Sequence, residues 1–343
     1  MHEPSSASGH AGATLLFSRT DVERLLTPEV CIDAIENAFR QHGEGKVPSS
    51  AILGLHAGEG GFHVKAGLLA ADRSYFAAKL NANFPHNPRR LALPTIQGVV
   101  VLFDASNGVP LAIMDSISIT ALRTAAASAV AARLFALAEC ESLLLCGCGG
   151  QAAAQLRAIL CVRKPTRVLA HDQDTDKAAA FARRFRKESA IRIEATADLA
   201  SAARESRIIV TVTTATRPLL TREMVRPGTF IAAVGADSED KQEIDPRLMA
   251  EATVVTDSTE QACSIGDLHH AIAAGAMSRG EVHAELGEVV AGRKRARAGS
   301  DEVIVFDSTG TGLQDVAAAI ATYRVALEHG VGLPFQLSGT QAV

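Results

Sequence analysis

A buried-type strand that runs directly into a glycine-rich turn and a helix constrains this chain more than any other feature. Leu143–Cys146 is continuously apolar, and a G-x-G-x-x-A sequence follows it: Gly147, Cys148, Gly149, Gly150, Gln151 and Ala152. In this setting the first glycine permits a tight turn, the second lets a pyrophosphate approach the backbone, and the small last residue lets helix and strand pack closely. The start of the helix also offers free N–H groups to phosphates. The turn therefore predicts a dinucleotide-binding parallel sheet.

An acidic residue stands where such a sheet binds the adenosine ribose. Asp172 directly follows the next strand-like segment, Arg167–His171. A carboxylate about 20 residues beyond the turn accepts the ribose hydroxyls and repels a 2′-phosphate. Because Gln173–Asp176 adds no arginine that could bind that phosphate, the pattern favours NAD(H) over NADP(H).

Strand-like and helix-like segments alternate from residue 142 onward, which predicts a Rossmann-type doubly wound parallel sheet. The candidate strands are Ser142–Cys146, Arg167–His171, Ile191–Ala195, Arg207–Val212, Thr229–Val234, Ala252–Thr256 and Glu302–Phe306. Residues 51–114 instead read as short strands separated by turns, with a hairpin signal at Asn107-Gly108. We therefore predict an α/β chain with two domains: a mixed α+β domain over 14–125, joined by a C-terminal helix within 311–343, and a Rossmann domain over 126–310.

Composition excludes several classes of function. A formal net charge of -4 over 343 residues argues against a nucleic-acid binder. The sequence has no apolar run of the roughly 18 residues that a membrane span needs. The six cysteines show neither Cys-x-x-Cys nor zinc-finger spacing, so they predict reduced thiols, a cytoplasmic protein and no metal site.

Three cations lie in apolar surroundings where an unpaired charge would be costly. Lys65 and Lys79 fall within strand-like segments, and Arg123 lies in an alanine-rich helix. Such groups suit a carboxylate substrate, and a structural ion pair is the alternative for each one taken alone. Further candidates end strand-like segments: Thr213, Asp237 and Ser308.

Taken together, these segments resemble the ornithine cyclodeaminase/μ-crystallin family, which includes an archaeal-type alanine dehydrogenase and ketimine or imino-acid reductases. The matching segments, in family order, are Lys79–Asn81 with Pro85, Leu93–Thr95, Gly108–Asp115, Ile119–Ala126, Gly147–Ala152, Ala233–Asp237 and Phe306–Gly310. The resemblance implies a homodimer with a substrate and dimerisation domain beside the Rossmann domain. It also implies hydride transfer between a nicotinamide and the α-carbon of an amino acid or its imine.

The resemblance assigns roles residue by residue. It makes Lys79 and Asp237 the catalytic residues and Arg123 a carboxylate-binding residue, with His63, Lys65 and Thr95 also on the substrate side. The cofactor contacts that it implies are Thr120, Gly147, Cys148, Gly149, Gly150, Gln151, Asp172, Thr213, Val234 and Ser308.

The chain departs from the family pattern at two places. The stretch Lys46–Ser50 lacks the arginine that often grips the substrate carboxylate, and His63 aligns where ornithine cyclodeaminases place a glutamate for the distal ammonium. In a strand, His63 and Lys65 face one side, where they suit a carboxylate better than an ammonium. We therefore expect an NAD(H)-dependent amino-acid dehydrogenase or imine reductase. The alternatives are an ornithine cyclodeaminase that regenerates its NAD, and a μ-crystallin-like protein that binds a nucleotide or small ligand.

Overall fold

The computed structural model describes residues 13–48, 50–188 and 191–337, which form two compact units. Unit 1 comprises the described residues of Met1–Thr27, Val47–Thr120 and Asp315–Val343. Unit 2 comprises those of Pro28–Lys46 and Ala121–Gln314. No helix of the described residues is long and apolar enough to cross a membrane.

Up to residue 135, the described residues form six strands and four helices. They are β1 (Thr14–Phe17), α1 (Arg19–Leu25), α2 (Pro28–Gly43), β2 (Ala51–Ala57), β3 (Gly60–Ala70), β4 (Ser74–Asn83), α3 (Asn87–Arg90), β5 (Ile96–Asp104), β6 (Pro110–Asp115) and α4 (Ser116–Phe135).

From residue 142 the chain alternates strands and helices, as its pattern predicts. The elements are β7 (Ser142–Cys146), α5 (Ala152–Val162), β8 (Arg167–His171), α6 (Thr175–Glu188), β9 (Arg192–Ala195), α7 (Leu199–Glu205), β10 (Ile208–Thr211), β11 (Thr216–Leu220), β12 (Phe230–Ala233), β13 (Gln242–Ile244), α8 (Pro246–Glu251), β14 (Thr253–Thr256), α9 (Thr259–Ile265), α10 (Asp267–Ala273), β15 (Ala284–Glu285), α11 (Leu286–Val290), β16 (Ile304–Asp307), α12 (Gly312–His329) and β17 (Leu333–Phe335). Two 3₁₀ helices, Arg222–Met224 and Arg279–Glu281, complete this part.

Unit 1 is built on a mixed sheet in the order β17-β1-β6-β5-β4-β3-β2. Strands β1 and β6 pair in parallel, whereas the remaining neighbours are antiparallel. The turn at Asn107-Gly108 joins β5 to β6, and Gly108 has a φ of 76°, which favours glycine. The predicted mixed sheet and its hairpin are confirmed.

Unit 2 is built on a parallel sheet in the order β15-β14-β16-β12-β10-β7-β8-β9. Counted from β7, the five strands β9-β8-β7-β10-β12 follow the 3-2-1-4-5 order of a Rossmann fold, with the strand order reversing between β7 and β10. Strand β16, which comes after β14 and β15 in the chain, occupies the position next to β12. Strands β7, β10, β12 and β16 are buried along their whole length, which explains their continuous apolar sequence. The predicted doubly wound sheet is confirmed.

Helix α2 belongs to unit 2, although its position in the chain predicts a place in the mixed domain. The helix packs on α11 so closely that a Cβ on Gly43 would overlap the carbonyl of Gly287. Glycine at both contact points permits this approach, and single-sequence periodicity does not report which sheet a helix joins.

Helix α12 is shorter than the segment 311–343 predicted to hold the last helix. It ends at His329, and Gly330 follows with a φ of 62°, the left-handed conformation that commonly terminates helices. The chain then forms β17, which pairs with β1, and residues 338–343 lie outside the described residues.

Candidate cofactor and substrate residues

The glycine-rich turn of unit 2 has the geometry of a nucleotide-binding loop. Gly147 has a φ of 95°, and a Cβ there would lie 2.6 Å from the Val212 carbonyl oxygen. A Cβ on Gly149 or Gly150 would meet no described atom within 4 Å. Helix α5 begins at Ala152, whose N–H donates to the Gly149 carbonyl at 3.2 Å, and Gln151 provides no side-chain cap for the other N–H groups of the first turn. The turn therefore combines open space with N–H donors, as a pyrophosphate requires.

Asp172 lies against this loop. One of its carboxylate oxygens accepts from the Cys148 N–H at 2.8 Å, and the other accepts from the Asp174 N–H at 2.9 Å. The side chain thus fixes the second position of the turn while it stands at the carboxyl end of β8, where the ribose binds in this fold.

The thiols of Cys146 and Cys148 lie on either side of Gly147 in this turn. Burial and the Asp172 charge raise the pKa of Cys148 to about 12, and burial raises that of Cys146 as well. Both thiols therefore stay protonated near neutral pH and serve as small packing residues. No group of metal-ligating side chains occurs among the described residues.

The next two loops at this edge are joined by a buried glutamate, Glu243, which no local motif distinguishes. One oxygen of Glu243 accepts from the Thr213 N–H and hydroxyl, each at 2.7 Å, and the other accepts from the Thr211 hydroxyl at 2.6 Å and the Gly235 N–H at 2.8 Å. Burial raises the pKa of Glu243, and these four hydrogen bonds oppose that rise. Val234 is buried in the same loop and donates its N–H to the Thr211 carbonyl at 2.9 Å.

Asp237 ends this second loop in a different environment. Its carboxylate is about half exposed, at 51%, and pairs with the Lys241 ammonium at 2.6 Å. The side chain is therefore free of the buried network and accessible to small molecules, as an acid or base that exchanges protons must be.

Ser308 and Arg123 share a third buried network in unit 2. Asp257 accepts from the Thr309 and Gly310 N–H groups at 3.1 and 2.6 Å and from the Ser308 hydroxyl at 3.4 Å. Gln314 donates to Asp257 at 3.2 Å and accepts from the Arg123 guanidinium at 2.7 Å. The predicted carboxylate-binding arginine is thus held in a fixed direction.

Two further carboxyl groups are buried behind these loops. Asp307 accepts from the Asp267 and Leu268 N–H groups at 3.3 and 2.9 Å, and Asp267 accepts from the Glu243 and Ile244 N–H groups. Burial, together with the charge of neighbouring carboxylates, raises the pKa of Asp307 to about 7 and that of Asp267 well above its usual range.

In unit 1 His63, Lys65 and Lys79 lie on one face of the mixed sheet. We call it the inner face: the face that carries Ala77, Lys79 and Asn81. Lys79 is opposite Lys65 in the register, and His63 is opposite Asn81. Because cross-strand partners point to the same side, the three cationic or titratable side chains share this face. Lys79 is buried at 4% exposure, and its ammonium lies 2.9 and 3.0 Å from the two carboxylate oxygens of Asp315.

Unit 1 also contains buried polar side-chain atoms that could bond to a ligand. The Asn81 Oδ1, Ser116 Oγ and Thr120 Oγ1 atoms are buried and have no hydrogen-bond partner among the described residues. Buried polar atoms are almost always satisfied, so such a set is typical of a ligand site. Thr95 is half-buried and is tied to the segment before α3, since its carbonyl accepts from the Phe84 N–H at 2.8 Å.

The structure thus brings together the predicted residues within each unit. The nucleotide loop meets Asp172, and Glu243 links Thr213 to the loop of Val234 and Asp237. His63 and Lys65 share a face with Lys79. Sequence reasoning missed three residues: Glu243, Asp315 and Gln314. The first sits between Gln242 and Ile244 with no distinguishing pattern, and the other two are polar residues in the first turn of an alanine-rich helix.

Comparisons with known proteins agree with this geometry. The iminosuccinate reductase of Paracoccus denitrificans is 35% identical over 92% of this chain and 98% of its own length. The solved structure of an archaeal alanine dehydrogenase dimer with bound NAD has a TM-score of 0.90 and 33% identity, covering 95% of this chain and 99% of that one. The Thermococcus litoralis Δ¹-pyrroline-2-carboxylate reductase, solved with NADH and L-proline, has a TM-score of 0.88 and 33% identity, covering 93% and 99%.

The family model described as the ornithine cyclodeaminase/mu-crystallin family matches residues 13–330, nearly the whole chain. The segments that carry the resemblance in the sequence all fall within that match. The chain belongs to the ornithine cyclodeaminase/μ-crystallin family.

Proposed function

We propose that this protein is an NAD(H)-dependent oxidoreductase that interconverts a small amino acid and its imine or 2-oxo acid. The observation that carries the proposal is the nucleotide loop of unit 2, with open space above Gly149 and Gly150 and with Asp172 at the end of β8. The similarity to NAD-bound dehydrogenases and reductases supports it.

The residues present fit the cofactor. The Gly147–Gln151 turn and the start of α5 would hold the pyrophosphate, and Asp172 would accept the adenosine ribose hydroxyls. Thr213, Val234 and Ser308 follow β10, β12 and β16, and Thr120 adds a buried hydroxyl with no partner in the described chain. When bound, the nicotinamide supplies or accepts the hydride.

Lys79 and Asp237 would act on the substrate. We assign Lys79 to the substrate carboxylate or to a developing oxygen charge, with Asp315 fixing the direction of its ammonium. Asp237 would exchange a proton with the substrate nitrogen, because its carboxylate is accessible and lies outside the buried hydrogen-bond network. Arg123, His63, Lys65 and Thr95 are the remaining residues that we assign to substrate binding.

The inner face of unit 1 favours reduction of an imine over cyclodeamination. Ornithine carries a distal ammonium, which needs a carboxylate partner, whereas this face presents His63 and Lys65 beside Lys79. A cationic patch attracts a second carboxylate or a polar side chain and repels an ammonium.

The opposite face of the same sheet supports a homodimer. Exposed apolar side chains alternate with the inner-face residues along four adjacent strands: Leu53, Leu55, Phe62, Leu68, Leu80 and Val99. Soluble monomers rarely expose such a contiguous patch, and an apolar sheet face is self-complementary across a twofold axis. We therefore assign the patch to a second copy of this chain, which the dimeric alanine dehydrogenase structure supports. Light scattering of the wild type and of Leu55→Glu tests this, and a monomeric wild type would refute it.

The reducing conditions of the cytoplasm suit the protein. All six cysteines are free thiols, and Cys161 is exposed. An exposed unpaired thiol supports a compartment in which thiols stay reduced.

A substrate panel decides among the functions. Purified protein is mixed with NADH, ammonium and 2-oxo acids whose side chains are apolar, acidic or basic, and separately with cyclic imines. Net NADH oxidation supports the proposal. Conversion of ornithine to proline and ammonia without net NADH change would establish cyclodeamination instead, and NADH binding with no turnover of any substrate would leave a ligand-binding protein.

A further inference from the structure

One buried side chain joins the two loops at the ends of β10 and β12. Glu243 is 0% exposed, and each of its two oxygens accepts one hydroxyl and one backbone N–H. These donors come from Thr211 and Thr213 on one loop and from Gly235 on the other. The contact leaves no room for a side chain at Gly235, where a Cβ would lie 2.5 Å from the Glu243 carboxyl carbon.

This bonding pattern requires a carboxyl group, because each of the two oxygens must accept from a backbone N–H. A hydroxyl can rotate to accept a hydrogen bond instead of donating one, whereas a backbone N–H cannot. A glutamine at this position would therefore turn its NH₂ group toward either the Thr213 N–H or the Gly235 N–H. In both orientations one of the two loops loses its buried acceptor.

The two loops carry residues to which we have assigned roles. Thr213 is a cofactor residue, and the Gly235 peptide lies two residues before Asp237, whose own N–H donates to the Gly235 carbonyl at 3.0 Å. Glu243 thus holds the N–H of Gly235, and the Asp237 N–H bonds to the carbonyl of the same residue. A side chain that fixes Gly235 therefore restrains the short backbone segment from which the Asp237 side chain extends.

We propose that Glu243 is a positioning residue that sets the location of Asp237 and Thr213 through the backbone of their loops. The proposal rests on the function proposed above, because it gives Asp237 the role of acid and base. Glu243 itself touches neither substrate nor cofactor in this scheme.

Glu243→Gln tests the proposal, with Asp237→Asn and the double variant as partners. We expect kcat for the reductive amination of a 2-oxo acid to fall on the order of 10²-fold in Glu243→Gln, since small misplacements of a reacting group have effects of that size. In the Asp237→Asn background the same change should lower kcat by less than about threefold, because residues that act as one unit are not additive. A loss of full size in that background would overturn the proposal.

A matched control separates positioning from general destabilisation. Leu248 is fully buried in the hydrophobic core that also contains Ile244, the neighbour of Glu243. Its side chain is apolar and cannot form a hydrogen bond to either loop. Leu248→Ala should lower the melting temperature and leave kcat within about threefold of wild type once both are assayed well below that temperature. An equal loss of kcat in both variants would show that Glu243 is merely structural.

Hydrogen exchange provides a readout that does not need turnover. In Glu243→Gln the amides of residues 211–215 and 233–237 should exchange at least tenfold faster than in wild type, whereas Leu248→Ala should leave their rates relative to the rest of unit 2 unchanged. If the wild type reduces no substrate, the proposed function fails. Hydrogen exchange still decides in that case whether Glu243 holds the two loops. If Glu243→Gln does not fold, Thr211→Val is the second variant, because it removes one of the four hydrogen-bond donors to Glu243. It should raise the exchange rate in the same segments, and an unchanged rate would overturn the proposal that Glu243 holds the two loops.

Discussion

The two units place their reactive side chains by different means. In unit 2 the assigned residues Asp172, Thr213 and Asp237 follow the ends of parallel strands. The carboxyl ends of these strands lie at one edge of the sheet, so residues that follow them are found at that edge without a particular strand register. In unit 1 His63, Lys65 and Lys79 lie within antiparallel strands, so alternation and register decide whether they share a face. A loop residue can therefore be recognised from a local motif, whereas a strand residue is recognised only with its partners.

The units also differ in how they satisfy buried charge. The carboxyl groups of Glu243, Asp257 and Asp307 in unit 2 are held by backbone N–H groups and hydroxyls. The ammonium of Lys79 in unit 1 is held by Asp315, which lies 236 residues away in the chain. A buried carboxylate can be stabilised by the N–H groups of nearby backbone. A buried lysine ammonium instead needs an acceptor, here a carboxylate that is distant in the sequence and becomes close only on folding.

The strongest effect we expect follows from that pair. Lys79→Ala removes the ammonium that is paired with the buried Asp315 carboxylate, which should cost about 3–5 kcal/mol of unfolding free energy. It should also lower kcat/KM on the order of 10²- to 10³-fold, the usual loss when one charge-stabilising donor is removed. Urea unfolding and steady-state kinetics measure the two losses.

A double variant separates the two roles of Lys79. Lys79→Met with Asp315→Leu removes both charges together, so most of the lost stability should return while activity stays low. A double variant that regains turnover would show that the lysine only balances charge. A Lys79→Ala protein that unfolds at the wild-type urea midpoint would show instead that the pair contributes little.

The second prediction concerns the loop residue Asp172. Asp172→Ala removes the acceptor of the Cys148 N–H and of the ribose hydroxyls. The Kd for NADH should therefore rise roughly 10- to 100-fold, which corresponds to the free energy of a hydrogen bond to a charged group. The Kd for NADPH should change less, because the repulsion of the 2′-phosphate disappears at the same time. Fluorescence titration with both nucleotides gives the ratio, and an unchanged ratio would remove Asp172 from cofactor selection.

The third prediction tests the register argument in unit 1. Lys65→Ala should raise KM about tenfold for 2-oxo acids with an acidic side chain, and much less for those with an apolar one. Lys177→Ala is the matched control, since Lys177 is an exposed lysine of unit 2 whose only ion pair in the described chain is with Asp174. Equal changes in KM for both substrate classes would mean that Lys65 does not face the substrate side chain.

The features that could be predicted from the sequence are the local ones, and those that could not depend on contacts between distant residues. The nucleotide loop, Asp172 and the parallel strands were predictable, because each is a local pattern with one structural solution. The placement of α2 in unit 2 was not, since it depends on contact between Gly43 and Gly287. The bonds of Glu243 to Thr211 and of Lys79 to Asp315 span 32 and 236 residues, and no local pattern reports a partner at such distances.

The last prediction concerns the buried carboxyl groups of unit 2 and affects stability rather than turnover. The pKa of Asp307 is raised to about 7 in the folded protein, so between pH 4 and 7 the folded state keeps a proton that the unfolded state has lost. Its contribution to stability is therefore fully present below pH 4 and is lost as the pH rises to 7, with a slope of at most about 1.4 kcal/mol per pH unit. Asp307→Asn removes this titration and weakens the charge coupling to Asp267, so unfolding free energy should depend less steeply on pH in the variant than in the wild type. Melting temperatures recorded from pH 4 to 8 for both proteins measure the difference. Parallel curves would show that Asp307 is ionised in the folded protein and that the backbone N–H groups of Asp267 and Leu268 outweigh its burial.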